Sequence, residues 1–218
     1  MGYLQPEKTP ITAKRLLQQL HCSWIKLFNE EPSKNSITTL LAQSSFETGR
    51  WGKCLSYNLA GIKSVDNDGK DYTFFTTSET LKVSTANKLI LSKDKDGGDV
   101  IIKEFLPNDF CKVLIYPKNK YCKFRAYTNL EDSVDDYLKF LSVKYSKAWI
   151  EVLSGDPGNF VDALKKNGYF TGDLISYRNS VISLFKEYSK LELDIIDKEK
   201  VLDSIQISLQ DLANEIIK

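Results

Sequence analysis

Histidine is nearly missing from this chain: His21 is the only one in 218 residues. The four cysteines, Cys22, Cys54, Cys111 and Cys122, form no Cys-x-x-Cys pair, and His21 has no partner at ligand spacing. These absences argue against a zinc site, and no cofactor is expected. An excess of charge is lacking too. The net charge is +1, which leaves no broad basic field to hold nucleic acid. Lysine is abundant enough for local basic patches. The start, Met1-Gly2-Tyr3-Leu4-Gln5-Pro6, has no charged residues followed by a long apolar run, so no secretory signal peptide is expected. No stretch approaches the ~20 apolar residues of a membrane span. The cysteines can pair in three ways, and Cys111 and Cys122 can face each other across a hairpin. Without an export signal, free buried thiols are the expectation.

What the chain does have is material for a sizeable core. Hydrophobic residues make up 42%, with 3 Trp, 11 Tyr and 11 Phe. Thr9-Pro10 reads as the opening of a first helix, with proline at its first position. Leu16, Leu17, Leu20, Trp24, Leu27 and Phe28 form its apolar stripe, and Glu30-Glu31-Pro32-Ser33 ends it. A second helix runs from Ser36 to Phe46. After Gly52 the pattern turns to short apolar and β-branched runs. Asp66-Asn67-Asp68-Gly69 is a turn. Tyr72–Thr77, Val100–Ile102 and Lys112–Tyr116 are strand candidates, and Gly97-Gly98 marks a loop or hairpin tip. Residues 64–125 thus read as a β-rich insertion in a helical protein. Helices return at Asn129, with Val134, Tyr137, Leu138, Leu141 and Tyr145 on the buried face. Another starts at Asp156-Pro157 and ends at Gly168, and a further one spans Ser176–Tyr188. There are no internal repeats. From Leu191 on, Ile195, Lys198, Leu202, Ile205, Leu209, Leu212 and Ile216 fall at alternating spacings of four and three. That is a heptad seam broken once by lysine: an amphipathic helix folded on the domain, or an oligomerisation or docking helix.

The chemistry concentrates in Ala42-Gln43-Ser44-Ser45-Phe46-Glu47-Thr48-Gly49-Arg50-Trp51-Gly52. Ile37, Leu40, Leu41 and Ser44 are at helical spacing, Asn35 or Ser36 is the expected N-cap, and Gly49 is a natural stop. Glu47 then sits in the last turn, where the helix dipole disfavours negative charge. Phe46 and Trp51 beside it displace water. Both effects raise its pKa, and an acid that keeps its proton near neutral pH can serve as a general acid. Most glutamates at helix ends are merely solvated.

This motif, followed by Tyr57-Asn58-Leu59-Ala60-Gly61-Ile62-Lys63, resembles the glucosaminidase family of peptidoglycan hydrolases. Phe124-Arg125-Ala126-Tyr127 with Leu130–Ser133, Lys144–Trp149 with Gly155-Asp156-Pro157, and Gly168–Asp173 with Tyr177 are similar to later family blocks in the same order. The resemblance spans residues 36–188. It implies an α+β, mainly α fold: a lysozyme-like domain over 1–190 with an enlarged β-rich lobe, then the C-terminal helix 191–218. It implies Glu47 as the general acid that protonates the glycosidic oxygen. Trp51, Asn58, Gly61, Tyr127, Tyr169 and Tyr177 become candidate substrate-binding residues, with Asn58 orienting substrate or its loop. The second carboxylate falls to Glu79, in Thr77-Ser78-Glu79, with Glu104 as the rival placement. Cleavage by a lytic transglycosylase route and a non-catalytic wall-binding or assembly module are the alternatives. A wall-degrading enzyme without a signal peptide is expected to be a phage product. It would be virion-associated or held in the host cytoplasm before lysis, with tail proteins or a second copy as partners of 191–218.

Overall fold

α2 (Lys34–Glu47) is the axis of the molecule, and it is buried on nearly every side: each residue from Ser36 to Ser45 is inaccessible to solvent or almost so. A helix enclosed all round sits inside a domain rather than on its surface. Its polar residues are satisfied locally or by neighbours. Thr38 Oγ1 donates to the Lys34 carbonyl at 2.7 Å, and Ser44 Oγ donates to the Leu59 carbonyl at 2.9 Å. The N-cap is Ser33, not Asn35 or Ser36, because its hydroxyl reaches the Ser36 amide at 3.0 Å. Gly49 has φ +56°, the left-handed conformation that stops a helix at low cost for glycine alone.

The computed structural model describes residues 2–66, 68–91 and 98–193. Around α2 pack α1 (Ala13–Phe28), α5 (Ser146–Ser154) and α7 (Leu174–Tyr188); α4 (Leu130–Lys139) packs on α1 and reaches α2 through Tyr137, and α6 (Pro157–Lys166) packs on α5 and α7. α1 begins later than expected. Thr12 is its N-cap, accepting from the Arg15 amide, while the Thr9 hydroxyl donates to the Cys54 carbonyl at 3.3 Å and ties the leading segment to the loop after α2. Asn129, Asp156 and Asp173 cap α4, α6 and α7, each accepting backbone N–H groups. A π turn, Phe140–Lys144, joins α4 to α5. The chain belongs to the α+β class and is mainly α, as expected. The heptad-patterned stretch from 194 on lies outside the described residues. Leu191 and Leu193 follow the end of α7 without helix and pack against the main core.

The second lobe is β-rich but carries a helix that the sequence reading did not anticipate. β1 (Tyr72–Phe74) pairs with β5 (Lys123–Arg125), and β2 (Thr77–Lys82), β4 (Phe110–Ile115) and β3 (Val100–Leu106) form an antiparallel sheet in that order. α3 (Val83–Leu91) covers that sheet, and Ala86 meets Cys111, Val113, Ile115 and Cys122 in a small separate core. The cysteines are free thiols, but Cys22 is exposed, contrary to expectation, because its position on α1 faces away from the apolar stripe. Among the described residues, no helix is long and apolar enough to cross a membrane.

The lobes are stitched by Asp136 of α4. Its carboxylate accepts from Arg125 Nη1 on β5 at 2.7 Å and from the Tyr127 hydroxyl at 2.6 Å, and it pairs with Lys70 at 2.9 Å. Burial pushes its pKa up. The hydrogen bonds from Tyr127, Lys70 and Arg125 outweigh that and hold it below its ordinary value. Asp136→Ala should lower the free energy of unfolding by about 3–5 kcal/mol at pH 7, because Arg125 and Lys70 lose a buried counter-charge. Urea titration checks this. The stabilisation is fully present above pH 3.8, the ordinary value, and is lost as pH falls through the depressed folded-state value, so the gap between parent and variant should close in acid.

Candidate active site

Glu47 ends α2 half-buried in a shell of uncharged groups. Its Oε1 accepts from Gln43 Nε2 at 3.1 Å and from the Tyr177 hydroxyl. Gln43 lies one turn back on α2, so the i, i+4 spacing puts amide and carboxyl on the same face. Tyr177 comes from the first turn of α7. Its ring is stacked on Phe170 (centroids 4.1 Å apart) and tilted against Phe46 (4.3 Å), which fixes where the hydroxyl points.

The orientation of the Gln43 amide follows from its neighbours. The Tyr169 hydroxyl donates its one proton to the Ala60 carbonyl at 3.1 Å. Its oxygen must therefore accept from Gln43, whose Nε2 is 3.0 Å away. The amide nitrogen thus faces Tyr169, Tyr177 and Glu47, and its oxygen faces the fully buried Tyr137 hydroxyl. Glu47 Oε1 is consequently occupied by donors. Among the described residues no hydrogen bond reaches Oε2, and Oε2 is not among the enclosed polar atoms that lack partners. It opens to solvent.

Burial raises the Glu47 pKa from 4.5 to about 7, and the hydrogen bonds from Tyr177 and Gln43 pull in the other direction without overcoming it. The expected effect is present, but one of its expected causes is not. Trp51 does not shield Glu47. Its indole N–H donates to Ser44 Oγ at 3.1 Å and its ring lies 5.9 Å from that of Tyr188, so the side chain is in the core behind α2. It is held there by a left-handed turn in which Gly49, Arg50 and Trp51 have φ of +56°, +56° and +62°. A glycine takes that conformation freely; arginine and tryptophan do not. The Trp51 contacts and the paired hydrogen bonds from Arg50 to Glu187, both 2.7 Å, keep the turn in place.

The other predicted residues divide between two places. Tyr169 and Tyr177 are brought to Glu47. Asn58 is buried beneath the loop: its Nδ2 donates to the Ile62 and Arg125 carbonyls, both at 2.9 Å, and its Oδ1 accepts the Ile62 amide at 2.8 Å. That consumes its side chain and shapes the Gly61–Lys63 segment instead of leaving a group for substrate. Gly61 has φ +60° with open space where a Cβ would stand. Tyr127 is instead buried with its hydroxyl on Asp136. Glu79 pairs across the ladder with Val113, on the covered face of the sheet. It accepts from Thr77 Oγ1 at 3.1 Å and lies 3.6 Å from Lys63 Nζ. Glu104 is opposite Lys112 on the other, exposed face, and bonds to it at 2.7 Å. Cross-strand partners share a face, so these two candidate acids point in opposite directions. Gln43 and Tyr137 were missed. The helical i, i+4 relation of Gln43 to Glu47 was the available signal.

The Glucosaminidase family, described as mannosyl-glycoprotein endo-beta-N-acetylglucosaminidase, matches over residues 28–190. The chain belongs to this family. By this membership it is a peptidoglycan glycosidase. Two solved structures are similar. One is a C-terminally truncated glycoside hydrolase domain of FlgJ from Salmonella typhimurium: 19% identity, TM-score 0.45, covering 83% of this chain and 99% of that one. The other is the catalytic domain of the autolysin Auto from Listeria monocytogenes: 18% identity, TM-score 0.43, covering 84% and 87%. No curated protein sequence matches. Among the described residues no group of three His, Cys, Asp or Glu is arranged to hold a metal ion.

The raised pKa has a consequence for stability. Between pH 4.5 and about 7 the folded form of Glu47 binds more proton than the unfolded form, so stability falls as pH rises through that window. Glu47→Gln removes the penalty. The variant should match the parent at pH 4 and exceed it above pH 7, by up to about 3 kcal/mol from the size of the shift. Urea titrations at both pH values read this directly.

Proposed function

We propose that this member of the Glucosaminidase family cuts the bacterial glycan strand by general acid catalysis from Glu47, as a β-N-acetylglucosaminidase or muramidase. The observation that carries the reading is the uneven treatment of the two Glu47 oxygens. Oε1 accepts from Gln43 and Tyr177, so in the acid form the proton resides on Oε2, the oxygen that opens to solvent. There it meets the glycosidic oxygen of a bound strand. Transfer of the proton to that oxygen breaks the C–O bond and leaves an oxocarbenium-like centre on the sugar. The carboxylate that remains keeps its two donors, and hydrogen bonds to an anion are stronger than those to the neutral acid.

Glu79 is the proposed second acid. It projects from the covered face of its sheet beside Lys63, which lies three residues after Ala60, the carbonyl partner of Tyr169. Glu104 is committed to Lys112 on the opposite face. A separation of about 5–5.5 Å from Glu47 in the substrate complex gives retention, and about 6.5–9.5 Å gives inversion. The enlarged β lobe and the heptad-patterned stretch 191–218 fit a phage lysin or a tail-associated protein, and finding the chain in purified virions tests the tail role.

Glu47→Gln should stay folded and lose lysis of purified peptidoglycan by about 10²–10⁴-fold. Full clearing by the variant sinks the assignment, and wall binding without release of sugar ends by the parent favours the non-catalytic module. Parent activity should decline as pH rises through about 7, because the reactive form is the protonated one. Glu79→Gln should cost activity heavily, while Glu104→Gln should stay within about twofold, as for other surface changes. Mass spectrometry of the digest separates hydrolysis from an anhydro product.

A further inference from the structure

A cavity of about 350 Å³ lies between the loop after α2 and the π turn, lined by Lys63, Arg125, Lys139, Phe140, Val143 and Lys144 with the acid Asp136. Both of its walls lead back to Glu47. On one side Lys63 follows Ala60, whose carbonyl holds Tyr169. On the other, Lys144 Nζ stands 5.7 Å from the Tyr145 ring centroid, and Tyr145 meets Tyr169 edge-on at 5.1 Å. Tyr169 in turn touches Gln43 at 3.0 Å.

The charges in this cavity do not cancel. Asp136 is taken up by Arg125 and Lys70. Arg125 is further neutralised by Asp68 at 3.2 Å. Lys63 faces Glu79 at 3.6 Å. Lys139 and Lys144 are exposed and, among the described residues, have no acidic partner. Two cations thus stand over a partly apolar floor, where Phe140 lies under Lys144 at 5.2 Å and Val143 is 79% exposed. The π turn is what brings Val143 and Lys144 to this side, and such irregular turns recur at functional sites.

We propose that this cavity is a subsite for a carboxylate carried on the glycan, either the lactyl acid of an N-acetylmuramic residue or a carboxylate of the peptide attached to it. The assignment rests on the peptidoglycan reading for the substrate, but its test does not depend on cleavage. The full chain carrying Glu47→Gln is titrated with three soluble disaccharides: an uncharged N-acetylglucosamine pair, one with a free lactyl acid, and one with a peptide on the lactyl group. The acidic ligands should bind more tightly than the uncharged one. Adding Lys139→Gln and Lys144→Gln should reduce that preference by about tenfold, the combined worth of two exposed ion pairs, and higher ionic strength should erode it as well. Preference for one acidic ligand over the other identifies which carboxylate is held. Equal binding of charged and uncharged ligands by the Glu47→Gln chain overturns the subsite, and so does an equal loss for both on lysine substitution. Preference for the acidic ligands by a parent that fails to cut peptidoglycan would instead sink the Glu47 reading and leave the subsite standing.

Discussion

The amide of Gln43 is the constraint on which the site depends. One side chain, at the centre of a buried helix, stands within hydrogen-bond reach of three tyrosine hydroxyls and one carboxyl oxygen, its two amide protons shared among Glu47, Tyr169 and Tyr177 and its oxygen facing Tyr137. Its direction is not free. Tyr169 spends its proton on the Ala60 carbonyl, and the amide must supply the bond in return. A buried polar network of this kind is costly if any member lacks a partner and specific if all have one. The contrast with Asp136 shows what the network leaves out. Both carboxyls are taken out of water. Asp136 has two cations against it and is held in its anionic form. Glu47 has no cation against it among the described residues, only neutral donors, and its pKa rises to about 7. The same residue chemistry is driven in opposite directions by what the fold places alongside.

α7 connects the Glu47 end of α2 to the turn beyond it. Its first turn supplies Tyr177 to Glu47, and its last supplies Glu187 and Tyr188 to Arg50, Ser45 and Trp51. The three left-handed residues after Thr48 are unfavourable for arginine and tryptophan, and contacts to α7 over-determine them. The turn directs the chain from the end of α2 into the loop that Asn58 organises. That loop carries Ala60 against Tyr169 and Lys63 toward Glu79. The residues flanking Glu47 in sequence thus work mainly as scaffold, and its chemical partners come from further along the chain and from one turn back.

This division explains what could be read from the sequence. Helix boundaries set by local chemistry were legible: Gly49, Asn129 and Asp156-Pro157 mark ends because capping is a nearest-neighbour effect. The start of α1 was not, because Thr9-Pro10 has the local signature of a helix start while a tertiary bond to Cys54 claims Thr9 instead. The apolar pattern also conceals how deeply α2 is buried. Its Ser44, Ser45 and Gln43 side chains are satisfied by a loop carbonyl and by tyrosines distant in sequence. Trp51 is a substrate-binding candidate by the family resemblance, and the left-handed turn places its ring in the core against Ser44 and Tyr188. Tyr127, Tyr169 and Tyr177 look alike in sequence. Only the fold separates the one that serves Asp136 from the two that serve Glu47.

The general-acid role proposed for Glu47 requires that positive charge stay out of contact with it. A lysine in contact with Glu47 would favour its anion and lower the pKa that burial has raised. Lys144 is instead held beyond the rings of Tyr145 and Tyr169, over Phe140. Two aromatic side chains separate the cation from the acid. Attraction for an anionic strand acts through solvent over about 8–10 Å at ordinary ionic strength, a range that reaches an approaching ligand. The uncharged collar of tyrosines leaves Glu47 without a facing cation among the described residues and with a raised pKa; on the reading proposed above, Lys139 and Lys144 would draw in a strand without turning the acid into its conjugate base.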